Sequence, residues 1–269
     1  MNPFTSILCA LDSSPLAPRV LRHAIGLAGV FGAKLTVLMV VTGDRHDAEA
    51  KIAALLKEAL PEGASYVEPR VMAVQLVMGE AVDAILTVAG EGVDLIVAGT
   101  QSKSGLARWF LGSTSVTLLE QAVCPTLLVP PGDIDIVEVG QASARLTPGG
   151  VLAAVDLADV NQRQLHIAGQ LATAASQPLT LMTVTSGDSA DAAAQQMLAD
   201  LAQRVGGAVQ ARTIVRHGSV ANEIDNAAVD AHAGLVVMGL RSVDRGTPGE
   251  IATAVLKRKD AVVLAVPAV

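Results

Sequence analysis

Short apolar runs alternate along this chain with longer stretches in which apolar residues recur every three or four positions. In the first half the runs fall at residues 6–11, 34–41, 65–77, 93–98 and 125–129, and they read as strands. The stretches between them, 15–32, 47–60, 80–91 and 113–122, read as helices. Val93-Asp-Leu-Ile-Val-Ala98 shows the strand type: short and apolar, as in a parallel sheet covered on both faces. Pro15 near the start of the first helix and Gly32 at its end follow the proline-first, glycine-last asymmetry. Buried strands alternating with helices specify a doubly wound, mostly parallel α/β sheet.

The pattern then repeats. Ile7-Leu-Cys-Ala-Leu-Asp12 recurs as Val151-Leu-Ala-Ala-Val-Asp156, and Lys34 to Val41 recurs as Pro178 to Thr185. Val77-Met-Gly-Glu-Ala-Val-Asp-Ala-Ile85 matches Arg216-His-Gly-Ser-Val-Ala-Asn-Glu-Ile224. Val93 to Gly99 matches Gly234 to Gly239, and Gly112 to Pro130 matches Gly249 to Pro267 at equal length. Landmarks in one fixed order identify a duplicated domain. The turn-rich, polar stretch from Pro131 to Gly150 reads as the linker, with a boundary near residue 145 that gives domains 1–145 and 146–269.

Composition narrows the class. The 269 residues suit two domains, and 51% hydrophobic content with 2% aromatics implies a core of Ala, Val, Leu and Ile. A net charge of −7, from 26 acidic and 19 basic residues, argues against nonspecific nucleic-acid binding. No apolar run reaches the length of a membrane span, and the N-terminus lacks the regions of a signal peptide. Cys9 and Cys124 fall inside predicted strands with no second cysteine nearby, as small core residues of a reducing compartment. The expectation is a soluble, cytoplasmic protein with no membrane or nucleic-acid partner.

The candidate chemistry lies after the fourth strand, in Gly99-Thr-Gln-Ser-Lys-Ser-Gly-Leu-Ala-Arg-Trp-Phe-Leu-Gly112-Ser113. A strand that delivers a glycine loop onto a helix N-terminus presents free N–H groups and the positive end of a dipole, which suits phosphate. The alternative is that these glycines only make tight turns. In an open parallel sheet, ligands sit at the carboxyl ends of the strands where strand order reverses. Asp12 closes the first strand and Gly99 the fourth, so both meet there if those strands are neighbours. Asp12 suits a ribose hydroxyl or a backbone group beside a base; it equally suits the N-cap of the helix that begins near Pro15.

These residues carry a resemblance. Strand-Asp12, Gly79-Glu-Ala-Val-Asp-Ala-Ile, Gly99-x-x-Ser102-x9-Gly112-Ser113 and Cys124-Pro-Thr-Leu-Leu-Val-Pro are similar to the universal stress protein domain, here as two tandem copies. The resemblance implies a Rossmann-like, five-stranded parallel sheet of order 3-2-1-4-5 in each copy, of the adenine nucleotide alpha hydrolase type. It also implies pairing of domains through the last strand and binding of ATP or a related adenine nucleotide, with Mg accompanying the phosphates. Carried onto this chain, Ala10, Leu11 and Asp12 lie at the ribose and base side, and Val40 holds adenine through its backbone. Gly99 and Ser102 border the triphosphate, while Gly112, Ser113 and Thr114 bind phosphates at the helix N-terminus. Ser102 departs from the family's glycine. If that position is left-handed, serine costs about 1 kcal/mol or more; its hydroxyl is otherwise a donor to a phosphate oxygen. Lys103 and Arg108 share the loop as cations for phosphate charge, although solvated loop cations are the commoner case.

The second copy departs further. From Gly239 to Gly249 its loop is three residues shorter than that from Gly99 to Gly112, and Glu250 stands where the first copy has Ser113. A carboxylate in the first helical turn satisfies the dipole itself and repels phosphate. Asp156 is retained and reads as a cap. No Gly-x-x-x-x-Gly-Lys-Ser/Thr loop is present, and His23, His46, His166, His217 and His232 have no metal-ligand spacing and read as surface or helix residues. With no catalytic residues to name, at most a slow ATPase is expected. The leading reading is a nucleotide-responsive stress protein with an unidentified protein partner. The alternative is an interaction protein that binds no nucleotide and forms an intramolecular pseudo-dimer through 125–130 and 261–267, with homodimerisation of whole chains open.

Overall fold

The protein was analysed as a computed structural model that describes residues 2–41, 45–62, 64, 70–75, 81–100, 113–159, 161–187, 191–205, 209–240, 250–256 and 261–268. The chain divides into two compact units, one of residues 2–131 with 137–146, the other of residues 132–136 with 147–269.

In the first unit, strands β1 (Ser6–Leu11), β2 (Lys34–Val41), β3 (Arg70–Gln75), β4 (Leu95–Gly99) and β5 (Thr126–Val129) lie in the order β3-β2-β1-β4-β5. All four pairings are parallel, and Ala10 of β1 sits level with Leu38 of β2 on one side and Ala98 of β4 on the other. The strand order therefore reverses between β1 and β4, as the resemblance implies. Helices α1 (Ala17–Phe31), α2 (Arg45–Ala59), α3 (Ala81–Ala89) and α4 (Ser113–Gln121) connect the strands. Ile7, Leu8 and Cys9 of β1 and Leu95, Ile96 and Val97 of β4 are fully buried, which is why these strands read as unbroken apolar runs. α1 buries Val20, Leu21, Ala24, Ile25 and Ala28 on one face and ends at Gly32.

Several local features differ from the sequence reading. α1 starts at Ala17 rather than Pro15, because the preceding residues form a turn in which the Ala17 N–H donates to the Ser14 carbonyl at 3.1 Å. Cys124 is buried but lies in the bend before β5, not within the strand. Within the predicted strand 65–77 only Arg70–Gln75 belongs to the described residues. The stretch read as a polar linker contains an antiparallel hairpin, β6 (Val137–Val139) with β7 (Ala144–Leu146). It packs on α1, where Val137 lies directly over Gly26: a Cβ on that glycine would come within 2.6 Å of the valine Cβ.

The second unit repeats the plan. β8 (Val151–Ala154), β9 (Leu179–Thr185), β10 (Ala211–His217), β11 (Leu235–Gly239) and β12 (Val262–Val266) lie in the order β10-β9-β8-β11-β12, again all parallel. Its helices are α5 (Arg163–Ala175), α6 (Asp191–Val205), α7 (Val220–Asp230) and α8 (Glu250–Leu256). The duplicated sequence thus gives a duplicated fold, each copy a doubly wound sheet. Among the described residues no helix is long and apolar enough to cross a membrane.

Candidate functional site

In the first unit a cleft opens at the carboxyl ends of β1, β2 and β4. Ala10, Leu11 and Asp12 form one side, Leu38 and Val40 the next, and Ala98 and Gly99 the third; Ile85 of α3 and Thr114 and Ser115 of α4 close it. The topology accounts for this gathering. Because β2 lies to one side of β1 and β4 to the other, their connections leave in opposite directions and part the chain above the sheet.

Asp12 does not cap α1. Its Oδ1 accepts the backbone N–H of Ser14 at 2.9 Å, an Asx turn that shapes the β1–α1 connection, whereas the helix N-cap is Leu16 and has no side-chain cap. Asp156 makes the equivalent turn in the second unit, accepting the N–H of Ala158 at 3.0 Å, and α5 likewise has no side-chain cap. The cap reading of both aspartates is therefore replaced by a turn reading, which leaves the second oxygen of Asp12 without a hydrogen bond among the described residues.

Gly99 is favoured by packing as well as by any ligand. A Cβ there would lie 3.0 Å from Cδ2 of Leu16 and 3.1 Å from Cγ2 of Val20, so any larger residue makes these side chains give way for α1 to rest on β4. Its carbonyl oxygen accepts the hydroxyl of Ser115 at 2.9 Å. Ser115 is 2% exposed and was not singled out from the sequence; the signal was its mismatch with Ala252, the residue in register with it in the second copy. The bond ties the first turn of α4 to the end of β4. That turn carries no acidic residue, so the positive end of the dipole favours an anion there.

Of the residues named from the sequence, Ala10, Leu11, Asp12, Val40, Gly99 and Thr114 meet in this cleft, and Ser113 is exposed at the first position of α4. Ser102, Gly112, Lys103 and Arg108 lie outside the described residues, as does Gly249 of the second unit.

The remaining reactive side chains point to structure. Burial pushes the Cys9 thiol far up, which makes it a poor nucleophile. His23 is a helix residue, wholly buried in α1, with Nδ1 2.8 Å from the Arg19 carbonyl oxygen, so this polar edge is satisfied inside its own helix. Among the described residues no three His, Cys, Asp or Glu side chains are grouped to hold a metal ion.

A universal stress protein of Thermus aquaticus, described as lying in the QAH/OAS sulfhydrylase 3′ region, is 35% identical to this chain over 136 residues. The aligned part is 47% of this chain and 98% of the relative. The chain belongs to the universal stress protein family. The model of that family matches residues 3–130, which is the unit that holds the cleft. Solved structures share the fold over the whole length. A putative universal stress protein from Pseudomonas aeruginosa UCBPP-PA14 has a TM-score of 0.71 at 20% identity, covering 98% of this chain and 93% of its own. A universal stress protein from Archaeoglobus fulgidus has a TM-score of 0.70 at 18% identity, covering 97% of this chain and 98% of its own. This universal stress protein thus has the fold in both halves, with the family's sequence pattern strongest in the first.

Proposed function

We propose that this universal stress protein binds ATP or a related adenine nucleotide in its first unit, as a regulatory ligand in a stress response. The observation that carries the reading is the meeting of Asp12, Val40, Gly99 and the first turn of α4 around one cleft at the strand-order reversal. Each part has a role. The apolar floor of Leu38, Val40 and Ile85 suits a flat base, with the Val40 backbone reading its edge. The free oxygen of Asp12 accepts from a ribose hydroxyl. Gly99 and Ser102 border the phosphates, and Gly112, Ser113 and Thr114 donate to them, with Mg shielding the phosphate charge.

Among the described residues Asp12 is the one carboxylate lining the cleft, and in this reading it holds the ribose, so the ligand acts by occupancy. The second unit serves structure or partner binding. A second reading, an interaction protein with its duplicated domains as a pseudo-dimeric scaffold and no nucleotide, is favoured at one point by Glu250, which opens α8 with a carboxylate. Mass spectrometry of the small molecule that copurifies with the full chain separates the two. An adenine nucleotide at near one per chain supports the first reading; protein that is free of nucleotide and takes up none at millimolar ATP supports the second.

A further inference from the structure

The second unit differs from its duplicate at one core position. Val20 of α1 packs over Gly99, and the residue in register with it, Gln164 of α5, packs over Gly239. A Cβ on Gly239 would lie 3.4 Å from Cδ of Gln164, just as one on Gly99 would lie 3.1 Å from Cγ2 of Val20. Gln164 is 2% exposed. An amide placed where a valine fits is costly unless its polar atoms find partners.

Half of that amide is provided for. Nε2 of Gln164 donates to Oε1 of Gln162 at 2.8 Å. Gln162 is itself held in the left-handed conformation at φ 45° and donates to the carbonyls of Asp156 and Asp159 at 2.7 and 2.6 Å. The other half is not: among the described residues nothing donates to the Gln164 carbonyl oxygen. Gln164 lines a cavity of about 290 Å³ with Asn161, Arg163, Gly239, Leu240 and Pro267, at the carboxyl ends of β11 and β12 beside the start of α5. That is near the low end of the roughly 300–1,000 Å³ typical of small-molecule sites.

The first unit closes the same corner. Arg19, in register with Arg163, donates through Nη1 to the carbonyl of Pro130 at 2.7 Å, and Pro130 is in register with Pro267. Arg163 makes no such bond among the described residues and instead lines the cavity.

We infer that this cavity binds a small carboxylate bearing an amino or hydroxyl group. Arg163 takes the carboxylate through its forked N–H groups. The open carbonyl oxygen of Gln164 accepts from the amino or hydroxyl group, and Leu240 and Pro267 cover the carbon chain. Asp159, whose Oδ1 accepts the Asn161 N–H at 3.0 Å, places a negative charge on the rim and disfavours a highly charged ligand such as a triphosphate. The site shares no residue with the cleft of the first unit and stands apart from the nucleotide reading.

The test is calorimetric titration of the full chain with L-malate, L-lactate and L-glutamate, on the parent, Arg163→Gln and Gln164→Val. At least one acid is expected to bind the parent at millimolar concentration, with binding about tenfold weaker in each variant, the scale of a lost charge-assisted hydrogen bond. Gln164→Val restores the residue its duplicate carries, so the parent's melting temperature is expected to hold and weakened binding then reports the lost acceptor. Failure of all three acids to bind, or parent-like affinity in either variant, overturns the assignment.

Discussion

The Ser115 hydroxyl donates to the Gly99 carbonyl oxygen at 2.9 Å, and through that bond the end of β4 fixes where the first turn of α4 begins. In the second unit the residue in register is Ala252, which has no such donor. The two copies therefore differ at the joint that would aim helix N–H groups at a phosphate.

Ser115→Ala is expected to lower stability by about 1 kcal/mol, since it leaves a part-buried carbonyl without its partner. Because α4 is then free to shift, ATP affinity falls severalfold as well, whereas Ser115→Thr, which keeps the hydroxyl, recovers most of it. Denaturant unfolding and calorimetry on the same preparations check both effects. Loss of stability with unchanged affinity would make the bond structural only.

Asp12 has two separable jobs. Asn at this position still accepts the Ser14 N–H but loses the charge and one acceptor, so Asp12→Asn is expected to melt with the parent and bind ATP more weakly. Asp12→Ala loses the turn too, at a cost of about 1 kcal/mol. Parent-like ATP binding by Asp12→Asn would remove this residue from the ligand.

Gly26→Ala brings a Cβ within 2.6 Å of Val137 Cβ and must push the β6–β7 hairpin off α1. A loss of roughly 1–3 kcal/mol is expected, the range for overpacking a filled site. Val137→Ala in the same chain removes the two methyls that also crowd the new carbon, at 2.9 Å each, and is expected to return part of the loss. Additive losses in the double variant would contradict this packing.

The hairpin also shows where sequence reading runs out. Its strands are three residues each, too short for a period to register, and they are flanked by Gly and Pro that signal turns. The longer strands with buried centres were legible for the opposite reason: β2 spans Lys34–Val41 as read, with Leu35, Val37, Leu38 and Met39 buried, and the duplicated landmarks repeat the same plan. At the cleft, Asp12 and Gly99 were legible because chain order alone puts them at the ends of β1 and β4. The turn made by Asp12 was not, since Asp serves an Asx turn and an N-cap equally well and only the position of the helix start decides. Ser115 was hidden by Ser113 and Thr114 beside it; which of three neighbouring hydroxyls points at the strand depends on the helix's rotation.

Whether adenine nucleotide binds the first unit and not the second is decided by calorimetric titration of ATP into Gly112→Val and Gly249→Val. A valine side chain at residue 112 blocks close approach of phosphate to the start of α4, so Gly112→Val is expected to abolish binding. Gly249→Val, before the carboxylate of Glu250, is expected to bind as the parent does. Equal loss in the two variants, or a parent that binds no ATP, would contradict the account.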